Sequence, residues 1–160
     1  MEAIPIRTAR RADVPSLLML WGAMLEENAK GDPRLAVHAD AREYQTRAFS
    51  SWVDDPARVV LVAEEANHLV VGYAAANVVT GNGIQAPARI GQVTDCFVAP
   101  RRRRRGIGRR LVSRLLDLLS ERGADVVRLQ VSAKNEESVA FWASQGWEVL
   151  EEVLERPPTT

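Results

Sequence analysis

The sequence predicts an α+β (mixed α/β) fold in which a central, mostly antiparallel sheet is flanked by about four helices. Two helical patterns come early, three strand-like apolar runs follow, and the last third alternates between helix and strand patterns. A chain of 160 residues with 46% hydrophobic residues suffices for a single core, so we expect residues 1–160 to form one domain. Residues 156–160 are expected to form a tail.

The N-terminal third predicts a short strand and two helices. Residues 4–7 indicate an edge strand. Asp13 offers a helix N-cap, and apolar residues at helical spacing continue from there to about Glu27. After a polar, turn-rich segment, residues 41–53 predict a second helix, which ends before Pro56.

The middle of the chain predicts three strands. Residues 59–63 and 69–79 are continuous apolar runs joined by a polar turn, so they indicate a hairpin. After a loop that contains glycine and proline, residues 89–98 alternate as a further strand, which Pro100 closes.

The last third predicts two helices that alternate with two strands. Apolar residues from position 107 onward recur at the spacing of an amphipathic helix, and Gly123 supplies its C-cap. Residues 126–131 predict a strand by their β-branched content, residues 136–144 a short helix, and residues 147–154 the last strand.

Composition excludes several classes of protein. No apolar run approaches the roughly 18 residues of a membrane span, so we expect a soluble protein without a membrane partner. Residues 1–11 show no basic flank followed by an apolar stretch, which favours the cytoplasm. The lone cysteine, Cys96, cannot form an internal disulfide, and together with His38 and His68 it does not indicate a metal site.

A run of arginines and glycines lies between the strand at 89–98 and the helix that follows. Seven arginines fall within positions 101–110, and Gly106 and Gly108 interrupt them. Amides in the first turn of a helix have no internal partners and the helix dipole is positive there, so such a turn holds phosphate well. Glycines let a diphosphate approach the backbone, and arginines add charge-assisted hydrogen bonds. Residues 103–108 therefore indicate a pyrophosphate site.

Two other interpretations of this turn stay open at this point. It could be a solvated helix end, or a nucleic-acid patch, because arginine runs bind backbone phosphates without a shaped pocket. Two other phosphate loops are excluded, since the turn has neither the Gly-Lys-Ser/Thr ending of a P-loop nor the third glycine of a dinucleotide fingerprint. Nucleotide hydrolysis and hydride transfer are therefore not expected.

Two blocks of the sequence resemble the GNAT superfamily of N-acetyltransferases. Residues 98–108, with Arg103, Gly106 and Gly108 at the motif positions, are similar to the family's main acetyl-CoA motif. Residues 129–147, which include Asn135, are similar to a second family block at the expected distance downstream. Residues 6–13 also look like the start of such a domain, so the resemblance spans nearly the whole chain.

The resemblance implies how the fold would hold acetyl-CoA. The sheet would be splayed between its fourth and fifth strands, with the pantetheine arm in the cleft against main-chain groups of Phe97 and Val98. The arginine-glycine turn would hold the pyrophosphate, and Asn135 would hydrogen-bond the cofactor; a helix N-cap is the alternative role of Asn135. The implied cofactor-binding residues are Phe97, Val98, Arg103, Arg104, Arg105, Gly106, Ile107, Gly108, Arg109, Asn135, Ser138 and Trp142.

The sequence departs from the family at the positions of the usual acid and base. Many members have a tyrosine as the acid where this chain has Trp142, whose indole N–H has no useful acidity. The positions of the usual base are Thr94 and Gln92, which cannot accept a proton at neutral pH. Asp95 is a candidate base, although strict strand alternation turns it to the face opposite Thr94 and Gln92 unless a bulge re-aims it.

His38 is the second candidate base. It lies in the segment between the first two helices, where family members usually build the acceptor site. A chain of water molecules is the remaining way to remove the proton. Other polar residues of that region, where the acceptor site is expected, are further candidates for the base: Glu27, Asp32, Asp40, Glu43 and Tyr44.

These observations predict an enzyme that transfers an acetyl group from acetyl-CoA to a primary amine of an unidentified acceptor, a small molecule or a peptide. Since the usual acid and base are absent, a non-catalytic acyl-CoA-binding module is the alternative. Nucleic acid is not expected as a partner, because such binding would leave the block around Asn135 unexplained. Family members often dimerise, so a homodimer is among the expected states.

Overall fold

The structure is a computed structural model that describes residues 4–158, and its sheet follows the chain, each strand lying beside the next one in sequence. The predicted α+β class is confirmed. The strands are β1 (Ile6–Thr8), β2 (Arg58–Glu65), β3 (Leu69–Thr80), β4 (Arg89–Val98) and β5 (Val126–Arg128), and the α-helices are α1 (Val14–Gly31), α2 (Ala41–Trp52), α3 (Ile107–Glu121) and α4 (Glu136–Ser144).

The chain divides into two compact parts, one ending at Gln130 and the other beginning at Val131. The first part contains the whole sheet with α1, α2 and α3, and the second contains α4. That residues 1–160 form one domain with a tail at 156–160 stays a prediction.

The sheet opens after its fourth strand, as the resemblance implied. The first four strands are antiparallel, whereas β5 is parallel to β4 and pairs only with Ile90, Gly91 and Gln92. β4 continues to Val98 beside β3 alone, so within residues 4–158 its last six residues have no strand on their other side.

A β-bulge interrupts β4 near its middle. Val93 pairs with Ala76 and Asp95 with Ala75, so Thr94 is the extra residue between two successive pairs. The Thr94 hydroxyl donates to the Ala75 carbonyl at 3.1 Å and satisfies that acceptor at the irregularity. Because side chains alternate between faces, one extra residue reverses the face of every side chain on one side of the bulge.

Helices α1 and α2 cover one face of the sheet. Leu17 of α1 and Phe49 of α2 are fully buried against a core that includes Tyr73, Ala75 and Phe97 from the strands. Full burial of a side chain such as Leu17 stabilises the fold by about 1.5–3 kcal/mol.

Helix α3 covers the opposite face. A Cβ on Gly72 of β3 would meet Leu111 at 3.4 Å and the Phe97 carbonyl at 3.1 Å, and one on Gly91 of β4 would meet Leu119 at 3.1 Å. These glycines let the apolar stripe of α3 lie close to the sheet. The start of α3 is thereby fixed next to the end of β4.

The predicted N-cap of α1 lies at the expected place but is used differently. Asp13 precedes α1, yet its carboxylate accepts from the Arg7 guanidinium at 2.7 and 2.9 Å and from the Arg10 amide at 2.6 Å. The hydrogen bond from Arg7 lowers the pKa of Asp13. Arg7 also pairs with Glu64, so Arg7 joins β1 to β2 and to the start of α1.

Two strand predictions near the C-terminus are wrong. β5 ends at Arg128 rather than at position 131, and residues 147–154 form no strand. Val149 and Leu150 are adjacent and both exposed, as are Val153 and Leu154, whereas a half-buried strand needs apolar residues at every second position. Within residues 4–158, no helix is both long enough and apolar enough to span a bilayer.

Candidate active site

The turn between β4 and α3 has the backbone of an anion site. Pro100–Arg102 form a single 3-10 turn, after which Arg104 and Gly106 both adopt left-handed conformations with φ of 62° and 74°. Left-handed backbone disfavours residues with a Cβ, so Arg104 stores local strain of about 1 kcal/mol. A Cβ on Gly106 would meet no atom within 4 Å, so the space over this glycine is open.

The first amides of α3 are available to a ligand. The first bond of the helix runs from the Arg110 amide to the Gly106 carbonyl at 3.1 Å. Among the described residues, no acceptor lies at hydrogen-bond distance from the amides of Gly106, Ile107, Gly108 and Arg109. Four successive open donors at the positive end of a helix dipole form a site for a phosphate or diphosphate.

The arginines that follow one another in the sequence have different partners in the structure. Arg102 forms a bidentate ion pair with Glu65 at 2.5 and 3.0 Å, and Arg110 donates to the Ile4 carbonyl at 2.6 Å. Arg105 and Arg109 are exposed and form no ion pair within residues 4–158. Arg105 directly precedes the open amides, and Arg109 carries the last of them.

The Arg103 guanidinium points back toward the protein. It donates to both Glu27 carboxylate oxygens at 2.8 and 3.0 Å and to the Val98 carbonyl at 2.9 Å, and it lies 5.1 Å from the centre of the Phe97 ring. Its predicted contact with the cofactor phosphate stays a prediction. The carboxylate of Glu27, a further candidate for the base, is paired with this guanidinium.

The end of β4 offers main-chain groups on its open side. The Ala99 amide donates to the Val71 carbonyl of β3 at 2.9 Å, and alternate residues of an antiparallel strand turn their backbone groups to opposite sides. The Val98 amide and carbonyl therefore face away from β3. Because Arg103 occupies this carbonyl, the Val98 amide is the group that can pair with an extended arm of a ligand.

Asp95 lies on the face covered by α1 and α2. Its strand partner is Ala75, a member of that core, so the bulge at Thr94 puts Asp95 on the same face as Gln92. Strict alternation predicted that Asp95 and Gln92 lie on opposite faces, and this prediction is wrong. The β-bulge that would re-aim Asp95 is present at Thr94.

The electrostatics of Asp95 suit proton transfer near neutral pH. Burial raises the pKa of its carboxyl from 3.8 to about 6. Within residues 4–158 no side chain or amide lies at hydrogen-bond distance from the carboxylate. A carboxylate that is largely buried without a donor binds a proton or a cation more strongly than an exposed one.

Sequence reasoning missed Tyr73, which lies beside Asp95. Its hydroxyl is fully buried and has no hydrogen-bond partner in the described part of the chain. Burial, followed by the charges of Asp95 and Cys96, raises the pKa of Tyr73. Tyr73 is the only residue with a hydroxyl between Leu69 and Ala76. A hydroxyl within an otherwise apolar strand could have identified Tyr73 from the sequence.

His38, the other candidate base, is in a different setting. Its imidazole is 79% exposed and lies before α2, where Nδ1 accepts from the Asp40 amide at 3.3 Å. The nearest carboxylate, that of Asp40, is 82% exposed as well. The geometry therefore favours Asp95 over His38.

The second part of the chain contains three predicted cofactor residues. Asn135 is the N-cap of α4 and accepts from the Ser138 amide at 3.0 Å, so its alternative role as a cap is confirmed. Trp142 is buried and packs edge-on against Phe141 and Trp147, with ring centres 5.1 Å apart in both cases. Contact of these residues with a cofactor stays a prediction.

The fold is therefore a mixed sheet that opens after β4 and is followed by a glycine-containing turn into α3. The model of the Acetyltransferase (GNAT) family matches residues 21–147, and the chain belongs to this family. A curated relative, a mycothiol acetyltransferase from Kocuria rhizophila, is 31% identical over 106 residues, which are 66% of this chain and 34% of that protein. The chain thus spans about a third of the length of this relative.

Solved structures share the fold. A mutant protein from Bacillus halodurans superposes on this chain with a TM-score of 0.88 at 20% identity. The aligned region covers 98% of this chain and 100% of the Bacillus chain. A predicted acetyltransferase from Clostridium acetobutylicum, solved with acetyl-CoA, gives a TM-score of 0.78 at 21% identity and covers 96% of each chain. At these identities the likeness establishes the fold alone.

Proposed function

We propose that the protein is an acetyl-CoA-dependent N-acetyltransferase that acetylates a primary amine. The observation that supports this most is the turn into α3, where four successive amides are open beside Gly106 and two exposed arginines. Membership of the acetyltransferase family, and a structural neighbour solved with acetyl-CoA, favour CoA as the anion that this turn accepts.

The residues present fit the parts of CoA. The amides of residues 106–109 would bind the pyrophosphate, and Arg105 and Arg109 would balance its charge. The Val98 amide would pair with the pantetheine arm along the open edge of β4. Asn135, Ser138 and Trp142 belong to this proposal by their resemblance to the family's second block. When bound, acetyl-CoA supplies an activated acetyl thioester.

Asp95 would accept the proton from the acceptor's ammonium group. Overall, an amide N–C bond forms and the thioester C–S bond breaks; the ammonium nitrogen loses two protons, the sulfur gains one, and the other passes through Asp95 to solvent. A base with a pKa of about 6 is mostly ionised at neutral pH yet basic enough to take a proton, which is the range that general bases use. The burial that raises this pKa also lets Asp95 attract a cationic amine.

A non-catalytic acyl-CoA-binding protein is the second candidate. Trp142, at the position of the family's acid, is packed between two aromatic rings and offers no acidic proton for the leaving sulfur. In the proposed enzyme, a thiolate would instead leave unassisted or take its proton from water.

Release of CoA thiol from acetyl-CoA, measured with a panel of primary amines, separates the two candidates. We expect at least one amine to raise thiol release above the rate without amine. Asp95→Asn should abolish that increase, and Asp117→Asn, which changes an exposed aspartate of α3, should leave it intact. Binding of acetyl-CoA without amine-dependent thiol release would favour the binding module.

A further inference from the structure

Arg103 joins three pieces of the molecule through one side chain. It belongs to the turn that leads into α3, its Nε donates to the Val98 carbonyl at the end of β4, and its Nη2 donates to Glu27 of α1. The guanidinium also lies over the Phe97 ring. We call this set of contacts between Arg103, Glu27, Val98 and Phe97 the Arg103 bracket.

The Arg103 bracket has more contacts than a single ion pair, because Nη2 donates to both Glu27 oxygens while Nε donates to the Val98 carbonyl. Both carboxylate oxygens of Glu27 are engaged, and the side chains of Arg103 and Glu27 are only 24% and 36% exposed. Several charge-assisted hydrogen bonds from one planar guanidinium fix its position as well as its charge. Glu27 is therefore held at a fixed position relative to the turn.

Glu27 connects Arg103 to helix α1, on the side of the proposed site where the acceptor would bind. It lies in the last third of α1, four residues before the helix ends at Gly31. Helix α1 packs on the face of the sheet that also bears Asp95, since Leu17 and Leu20 share the core of Ala75 and Phe97. Glu27 thus connects the turn to the helix that packs on the face bearing the proposed base.

We propose that the Arg103 bracket couples the two substrate sites, so that CoA bound at the turn orders the C-terminal half of α1 and prepares the acceptor side. This inference rests on the proposed function. A diphosphate on the amides of residues 106–109 immobilises the turn, and Arg103 passes that restraint to Glu27. Because coupling between sites is reciprocal, an acceptor that orders α1 also tightens binding of CoA. Arg103 and Glu27 are positioning residues in this account.

The neighbouring ion pair of the same turn provides a comparison. Arg102 pairs with Glu65 at the end of β2, so it ties the turn to the sheet rather than to α1. A Glu65→Ala variant loses a comparable pair of hydrogen bonds without touching the helix. Glu26→Ala makes the same substitution as Glu27→Ala on an adjacent, exposed residue of α1.

Hydrogen exchange of α1, with and without saturating CoA, tests the coupling. In the wild type we expect CoA to slow exchange of amides 23–31 about tenfold. Glu27→Ala should still bind CoA, as measured by calorimetry, but lose this slowing, and Arg103→Lys should reduce it because an ammonium cannot replace the forked contact. Glu26→Ala and Glu65→Ala should keep it. A general loosening of α1 would instead speed exchange equally with and without CoA.

The outcomes distinguish this inference from the proposed function. If CoA binds the wild type without slowing exchange of α1, or if Glu27→Ala retains the full effect, the coupling is overturned while the proposed function stands. If calorimetry shows no CoA binding to the wild type, the proposed function fails and the coupling fails with it. Should Glu27→Ala fail to fold, full slowing in Arg103→Lys would contradict the proposal.

Discussion

Asp95 is the residue on which the proposed chemistry depends. Its side chain is partly buried with no donor in the described part of the chain, and this burial raises its pKa to about 6. Removing a carboxylate from water without giving it a donor costs free energy, which a ligand or a proton can offset. The extra residue at Thr94 sets its face, and Tyr73 lies beside it.

Asp95→Asn should lower the rate of acetyl transfer by about 10²–10⁴-fold, because the amide cannot accept a proton. In the wild type, kcat/KM for an accepted amine should rise with pH and level off above about 6, as Asp95 ionises. That limb of the pH profile should vanish in the variant. A variant that keeps both the rate and the limb would rule out Asp95 as the base.

Gly106 is the residue of the turn whose conformation the proposed anion site needs most. Gly106→Ala should destabilise the fold by about 1 kcal/mol through its positive φ, and the added Cβ, which meets no protein atom, should instead obstruct the diphosphate. We expect the Kd for CoA to rise at least tenfold in calorimetric titration. Gly83→Ala is the matched control, since Gly83 has a φ of 75° and equally open surroundings in the loop before β4. Equal Kd values for the two variants would remove the pyrophosphate from this turn.

At the scale of secondary-structure elements, all four helices and the three long strands follow from the sequence, although α1 extends four residues beyond its predicted end and β2 three residues beyond its predicted bounds. Helix α2 begins at Ala41, and α4 spans Glu136–Ser144, both as predicted. Local signals decide these bounds, since caps and apolar spacing are properties of the segment itself. The failed strand at 147–154 was predicted from apolar content alone, although its apolar residues stand in adjacent pairs rather than at every second position.

The N-cap of α4 allows the structural and cofactor roles of Asn135 to be separated. Asn135→Asp retains an oxygen that accepts from the Ser138 amide but loses the side-chain N–H donors, so α4 should stay stable while CoA binds more weakly. Asn135→Ala should lose both, at a cost of about 1 kcal/mol in the free energy of unfolding. Thermal melts and CoA titrations check this pair. Unchanged CoA affinity in both variants would leave capping as the sole role.

At the scale of the whole molecule, the ionised form of Asp95 lowers the free energy of unfolding. A carboxyl whose folded pKa of about 6 exceeds its unfolded value of 3.8 binds its proton more tightly in the folded state. Its contribution to stability is therefore fully present below pH 3.8 and is lost as the pH rises through about 6. The fold carries an ionised, buried Asp95 at the pH where the proposed reaction runs.

Asp95→Asn should consequently stabilise the protein at pH 8 while inactivating it. Relative to the wild type, we expect the variant to gain about 2–3 kcal/mol in the free energy of unfolding between pH 4 and pH 8, since each pKa unit corresponds to roughly 1.4 kcal/mol. Urea unfolding of both proteins at the two pH values measures this difference. A difference that does not change with pH would mean that the carboxyl has an ordinary pKa.

The sequence anticipated the turn at 103–108 better than the surroundings of the proposed base. Glycines and a helix start are local, so the open amides of α3 could be expected from their order alone. The pairing of Arg103 with Glu27 and the partners of Asp95 join residues that are far apart in the chain. Such contacts depend on strand register. The extra residue at Thr94 changes the register of β4, and the amino-acid sequence of β4 does not show this change.

A crystal structure of the protein with CoA bound would decide whether the turn into α3 holds the diphosphate. We expect diphosphate oxygens within about 3.2 Å of the amide nitrogens of residues 106–109, and the CoA sulfur on the open side of β4, near Asp95. A diphosphate held elsewhere, with these four amides unliganded, would contradict this expectation.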